Sequence, residues 1–295
     1  MEKISRRPAA VSETPPPRDQ SRAIGTILVE QGRIGQQDVE EIQRFAIQNN
    51  IRFGDAALQL NLLTQNDIDV ALAQQFNYPV LARGLSGVTD DVIAAYLPQS
   101  ELVEPLRALR SQLSLRWVNG VGRRILAITS PGRGEGRSWL AANLATVFAQ
   151  MGERVLLIDA DMRHPQQHVF FNLNNSVGLS ALLTGRAGRE IVCRIHPQLR
   201  LFVLPAGLRA PNPQELLGRP VFEVVLSSFS DQYDLVILDT PATTEAADAQ
   251  ILAARAGAAL IVARRNHTLH EELSMAMQNF VQSGVGVLGS VMNEY

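Results

Sequence analysis

From residue 125 onward, short, predominantly apolar runs recur at 125–129, 154–159, 199–205, 234–239, 258–263 and 285–291. The stretches between them carry helical character, clearest at 139–149. Strands that are apolar on every residue rather than on alternate ones belong to parallel sheets covered on both faces. Upstream the pattern changes. Leu102, Leu106, Leu109 and Leu113 fall at helical spacing and predict an amphipathic helix that starts near Pro105, since proline is tolerated only in a first turn. Earlier still, the segment from Gly25 to Val39 recurs from Gly54 to Ile68, an offset of 29 residues. Each copy reads as a short helix, a turn and a second helix, the last opened by a polar cap at Thr64. The expected organisation is therefore a flexible tail over 1–20, rich in proline (Pro8, Pro15, Pro16, Pro17), a small helical repeat domain over 21–85, a linker over 86–98, and an α/β domain over 99–295 built on a mostly parallel sheet flanked by helices.

The first apolar run leads directly into Ser130-Pro131-Gly132-Arg133-Gly134-Glu135-Gly136-Arg137-Ser138, and Trp139 begins the helical stretch. Strand, glycine-rich turn and helix is the layout of a phosphate-binding loop. Its glycines let backbone N–H groups close on a polyphosphate, and the helix start adds partial positive charge. The fold class expected is thus a P-loop nucleotide-binding α/β domain. Two positions depart from the usual pattern. Pro131 stands where a first glycine is usual, and Arg137 replaces the phosphate lysine with a bulkier, planar cation. A plain strand-to-helix turn is the competing reading of the loop alone.

Three aspartates follow predicted strands: Asp159 and Asp161 after the second run, Asp239 after the fourth. One such aspartate is often only a helix cap. Three of them beside a phosphate loop, with the Ser138 hydroxyl, make an oxygen donor set suited to Mg²⁺. Ligands in open α/β sheets bind outside the C-terminal strand ends, so all these groups are expected to converge.

Bulk properties narrow the class. A net charge of −2 gives no reason to expect a nucleic-acid partner. The single cysteine, Cys193, excludes an internal disulfide. No apolar run approaches a membrane span and the N-terminus has no secretory signal. A cytoplasmic protein is expected, with docking to a membrane partner left open.

The motifs resemble those of a known family. Leu156-Leu157-Ile158-Asp159-Ala160-Asp161-Met162-Arg163 is similar to the Walker A′ signature of bacterial tyrosine kinases, and Val236-Ile237-Leu238-Asp239-Thr240-Pro241 to their Walker B. The segments 204–207 and 211–217 are also typical of them. Glu104, Arg107 and Arg110 match the helix motif through which these kinases form rings. The loop form resembles the exopolysaccharide chain-length-determinant (EpsG) type, on the P-loop branch that includes MinD and ParA ATPases. The repeat at 21–85 resembles the N-terminal domain of type II secretion and pilus ATPases, some of which bind cyclic di-GMP. Here each copy lacks part of that ligand motif, so a structural or docking role is favoured.

The resemblance implies ATP and Mg²⁺ as cofactors. Gly134, Glu135, Gly136, Arg137, Ser138 and Trp139 would form the nucleotide-phosphate site, with Asn293 near the adenine. Ser138, Asp161 and Asp239 would serve the metal, Asp159 would act on the attacking tyrosine hydroxyl, and Arg137 would stabilise the transferred phosphoryl group. It further implies a homo-oligomeric ring, a membrane-bound polysaccharide co-polymerase as partner, and a C-terminal phosphorylated tyrosine, here Tyr295. The alternative is a catalytically weak nucleotide-binding regulator of the same machinery, because Arg137 replaces the lysine and the chain ends with one tyrosine rather than a cluster.

Overall fold

A computed structural model describes residues 23–76, 78–81, 83–84, 86–97, 100–118 and 124–294; the expected tail over 1–20 and Tyr295 lie outside the described residues. The chain divides into two compact units, 1–76 and 77–295.

In the first unit the repeat is visible helix for helix. Ile24–Glu30 and Gln36–Asn49 correspond to Phe53–Gln59 and Gln65–Gln75 at the same 29-residue offset. The copies interlock: the first helix packs on the fourth and the second on the third. Gly25 faces Val39 and Gly54 faces Ile68 so closely that a Cβ would stand 3.0 and 3.4 Å from those side chains. Asp38 accepts from the Gly35 N–H at 2.7 Å, and Asp67 accepts from the Thr64 N–H at 3.0 Å, closing the same kind of helix start in each copy. At the intervening turn Gly32 has φ +67° and Asn61 has φ +54°. Asparagine tolerates the left-handed region better than other non-glycine residues, so the second copy keeps the turn without the glycine.

The second unit holds a seven-stranded sheet: β1 (Ile125–Thr129), β2 (Val155–Asp159), β3 (Cys193–Arg194), β4 (Leu201–Leu204), β5 (Leu235–Asp239), β6 (Ala258–Arg264) and β7 (Gly286–Asn293). Their spatial order is β3-β4-β2-β5-β1-β6-β7, parallel throughout except where β3 meets β4. The short edge strand β3 has no sequence signature, and its two residues show no apolar run.

Every residue of β1, β2 and β5 is buried. Their side chains alternate between two cores. Leu126, Ile128, Leu157 and Ile237 face the layer containing helix Arg137–Gln150, while Ile125, Ala127, Ile158 and Leu238 face the layer containing helices Pro220–Ser230 and Asp248–Ala256. This accounts for the uninterrupted apolar runs.

The segment expected as a linker, 86–98, is corrected by the structure over its described part. It contains a helical turn, Ile93–Tyr96, and buries Val92, Ala94, Ala95 and Tyr96 in the first of these cores. Asn143 on helix Arg137–Gln150 accepts from the Ala94 N–H at 3.0 Å and donates to the Asp91 carbonyl at 3.1 Å. Polar anchors on a neighbouring helix hold this segment, and a composition-based reading of the chain cannot see them. The amphipathic helix runs Glu104–Leu113, with Pro105 in its first turn as expected.

Candidate active site

The loop after β1 takes its shape from two glycines in the left-handed region. Gly134 has φ +71°, and Gly136, the residue before helix Arg137–Gln150, has φ +91°. Side chains other than glycine rarely adopt these values. The loop is stitched to the segment after β5: Thr243 N–H donates to Ser130 O at 2.9 Å, and the Thr244 hydroxyl to Pro131 O at 2.8 Å.

The strand register brings the acidic groups together. Asp159 and Asp239 are the last residues of β2 and β5 and are direct partners across that pairing. Ile128, one residue before the end of β1, pairs with Asp239. The phosphate loop and both carboxylates therefore share the C-terminal edge of three adjacent strands. The expected convergence of loop and aspartates is what the structure shows.

Arg137 is buried inside this group, with 8% of its surface exposed. Its Nε donates to Thr240 O at 2.8 Å, its Nη1 to Ser130 Oγ at 2.6 Å and Gly132 O at 2.9 Å, and its Nη2 stands 3.8 Å from Asp161 Oδ2. A planar fork can reach all four at once, which an ammonium cannot. Asp161 is otherwise held by the N–H groups of Arg163 and His164 on Oδ1, at 3.1 and 2.9 Å.

Asp159 Oδ2 accepts from the N–H groups of Gln166 and Gln167, both at 2.9 Å; Asp239 Oδ2 accepts from Gln167 Nε2 at 2.8 Å. The other oxygen of each, Oδ1, is buried without a partner. Burial, reinforced by the neighbouring Asp239 charge, pushes the Asp159 carboxyl well above the ordinary range. Burial also raises Asp239 to about 6, against the opposing pull of Arg137, Gln167 and the Ser138 hydroxyl. Two bare buried carboxylate oxygens beside a serine hydroxyl form a hard-oxygen set that fits Mg²⁺, and the glycine-shaped loop next to it fits a polyphosphate.

The remaining predicted residues sit at different depths. Glu135 is buried and turned away from the carboxylates: Oε2 accepts from Gly132 N–H at 3.0 Å and Oε1 from the Thr268 hydroxyl at 2.5 Å. Asn293, in β7, donates to the Glu135 carbonyl at 3.1 Å. Trp139 is half-buried, with its indole packed on the core of the Arg137–Gln150 layer. Glu104, Arg107 and Arg110 form a separate group on helix Glu104–Leu113. There Arg107 pairs with Glu104 at 3.3 Å and stacks over Tyr78 at 5.2 Å, and Arg110 donates to Val147 O at 3.0 Å.

Several contributors were not predicted. Gln167 is fully buried among the acidic groups. Asp248 forms a two-point ion pair with Arg163, at 2.8 and 3.2 Å. Glu245 lies within reach of Asp161 and His164, and Thr268 closes the back of the loop. In sequence these residues look like solvent-facing polar positions; only the strand order places them here.

A profile of the AAA domain family matches residues 123–280. Tyrosine-protein kinase YwqD of Bacillus subtilis is 37% identical over 203 residues, 69% of this chain and 85% of that protein. The putative tyrosine-protein kinase EpsB of Ralstonia solanacearum is 38% identical over 202 residues, 68% of this chain but only 27% of that longer protein. The kinase domain of the Escherichia coli tyrosine kinase ETK superposes with a TM-score of 0.65 at 34% identity, covering 69% of this chain and 79% of that one.

Proposed function

This chain belongs to the bacterial tyrosine-protein kinase family, and on that premise we propose that it is an ATP- and Mg²⁺-dependent protein tyrosine kinase that regulates exopolysaccharide polymerisation, export and chain length. The observation that carries the reading is the pairing of Asp159 and Asp239 in register, each with one bare buried oxygen, against the Arg137–Ser138 end of the phosphate loop. Ser138 and Asp239 would hold Mg²⁺, with Asp161 close by, and the ion would neutralise charge on the nucleotide phosphates. Asp159, whose carboxyl is raised by burial, is suited to take the proton from the attacking tyrosine hydroxyl. That oxygen attacks the terminal phosphorus and ADP departs. Arg137 supplies a fixed cation beside the loop, and catalysis is mostly positioning and electrostatics.

In this reading the protein works in the cytoplasm at the inner membrane, attached through a membrane-bound co-polymerase, and assembles as a ring through Glu104, Arg107 and Arg110. Among the described residues no helix is long and apolar enough to cross a membrane. The helical unit serves as a structural or docking module, and calorimetry with cyclic di-GMP is expected to give no tight binding.

A second reading, a nucleotide-responsive scaffold with little transfer activity, is favoured by one observation. Tyr96 and Tyr233 are buried, and Tyr78 is half-buried with its hydroxyl bonded to Gln150 and Arg107. The described tyrosines are thus all engaged in packing or hydrogen bonds, which leaves little in the described residues to receive a phosphoryl group. The deciding experiment is ATP turnover and phosphotyrosine detection on the full chain, wild type beside Arg137→Lys. Transfer by the wild type supports the kinase. Nucleotide binding without transfer, with activity gained by the lysine variant, supports the scaffold.

A further inference from the structure

Gln167 follows Pro165 and Gln166 in a polar stretch that has the look of a surface turn. It is instead fully buried at the start of the turn Gln167–Phe170, beside both strand-end carboxylates. Its Nε2 donates to Asp239 Oδ2 at 2.8 Å and to Ser138 O at 3.0 Å. Its backbone N–H, with that of Gln166, holds Asp159 Oδ2. Two acceptors on one side fix the amide orientation, since a flipped amide would set its oxygen against two oxygens. Its Oε1 is consequently turned away from them and is buried without a partner, like Asp159 Oδ1 and Asp239 Oδ1.

We propose that Gln167 is a positioning residue for the divalent-cation step, clamping Asp239 to the first turn of the phosphate-loop helix so that its free oxygen faces the cation. A carboxylate rotates easily about its last torsion; a donor on one oxygen determines where the other points. The same residue, together with the Gln166 N–H, fixes Asp159 through its main chain, so one side chain and two adjacent N–H groups orient both acids. Because Ser138 lies at the other end of the clamp, binding a cation at Asp239 is coupled to the loop that holds the nucleotide. The ligand class is a nucleoside diphosphate or triphosphate with its divalent cation, and the inference rests on the reading of Ser138 and Asp239 as the cation site.

The test is calorimetry of ADP binding to the full chain, with and without Mg²⁺, for wild type and Gln167→Met, which keeps length and removes the amide. Wild type is expected to bind ADP more tightly with Mg²⁺. The variant is expected to bind ADP alone within about twofold of wild type while losing about tenfold of the Mg²⁺ enhancement, as removal of an outer partner of a metal ligand does. Loss of affinity equal with and without Mg²⁺ would show a merely structural role and overturn the proposal, as would an unchanged enhancement. If wild type shows no Mg²⁺ enhancement, the cation site itself is wrong and Gln167 falls with it. Should the variant not fold, NMR of the Gln167 side-chain amide in wild type decides. A shift with Mg²⁺-ADP but not with ADP alone supports the clamp, and no difference between the two rejects it.

Discussion

The two units of this chain are held together by different chemistry. The helical unit packs Ile27, Leu28, Ile42, Ala56, Ala57 and their neighbours into an apolar core. Every buried polar or charged side chain among the described residues belongs to the sheet unit, and most of them crowd the C-terminal ends of β1, β2 and β5. Burial of a carboxylate or guanidinium without full compensation opposes folding. The sheet unit can tolerate such groups because large apolar cores cover both faces of its sheet. The contrast teaches that the first unit is built for packing, whereas the second gives up stability at one edge to assemble charges for chemistry.

Substitutions should separate these two designs. The largest effect is expected from Asp159→Asn, which removes the proposed proton acceptor but keeps its shape. Tyrosine phosphorylation should fall by about 10³-fold or more on a phosphotyrosine blot, with the protein still folded. Transfer that persists would exclude Asp159 from the chemistry.

The mirror experiment is Ile42→Ala in the helical unit, where the side chain is fully buried. Urea denaturation should show a loss of about 2–5 kcal/mol in that unit, while ATP turnover stays at the wild-type level. A parallel loss of turnover would break the distinction between the two units.

Next is Asp239→Asn. Its carboxyl stands at about 6 in the folded protein against an ordinary 3.8. The native state therefore keeps a proton that the unfolded chain has released, and this contribution is present below 3.8 and lost as pH rises to about 6. Over that window metal-free wild type should lose about 2–3 kcal/mol relative to Asp239→Asn, read as the difference between their stability–pH curves. Above pH 6 the variant should be inactive. A wild type that gains stability on the variant over this window would mean that Asp239 is stabilising where it stands.

The smallest effect is expected from Thr64→Ala. Its hydroxyl accepts from the Asp67 N–H at 3.3 Å and donates to Asp67 Oδ2 at 2.5 Å, closing the helix start. Thermal unfolding should register about 1 kcal/mol, again without change in turnover.

Much of this was legible in the residues. The uninterrupted apolar runs reported strands covered on both faces, because a strand with two dry faces has no polar position to show. The loop from Ser130 to Ser138 declared itself through glycine placement, since positive φ at Gly134 and Gly136 admits little else. The 29-residue repeat was readable because each copy needs the same small residue and the same acidic cap. Asp159 and Asp239 could be nominated from their positions at strand ends.

Other features only the tertiary structure decided. That Asp159 and Asp239 face each other depends on β2 and β5 being neighbours in register, and strand order is set by long-range packing that no local pattern encodes. The burial of Gln167, the pairing of Arg163 with Asp248 and the seating of 86–97 against helix Arg137–Gln150 follow from the same cause. Polar side chains near a turn look alike in sequence, whether they meet water or a buried carboxylate. The identity of Arg137 was plain in the chain, and its contacts with Ser130 and Gly132 are local to the loop; its reach to Thr240 and Asp161 exists only because β1, β2 and β5 end side by side.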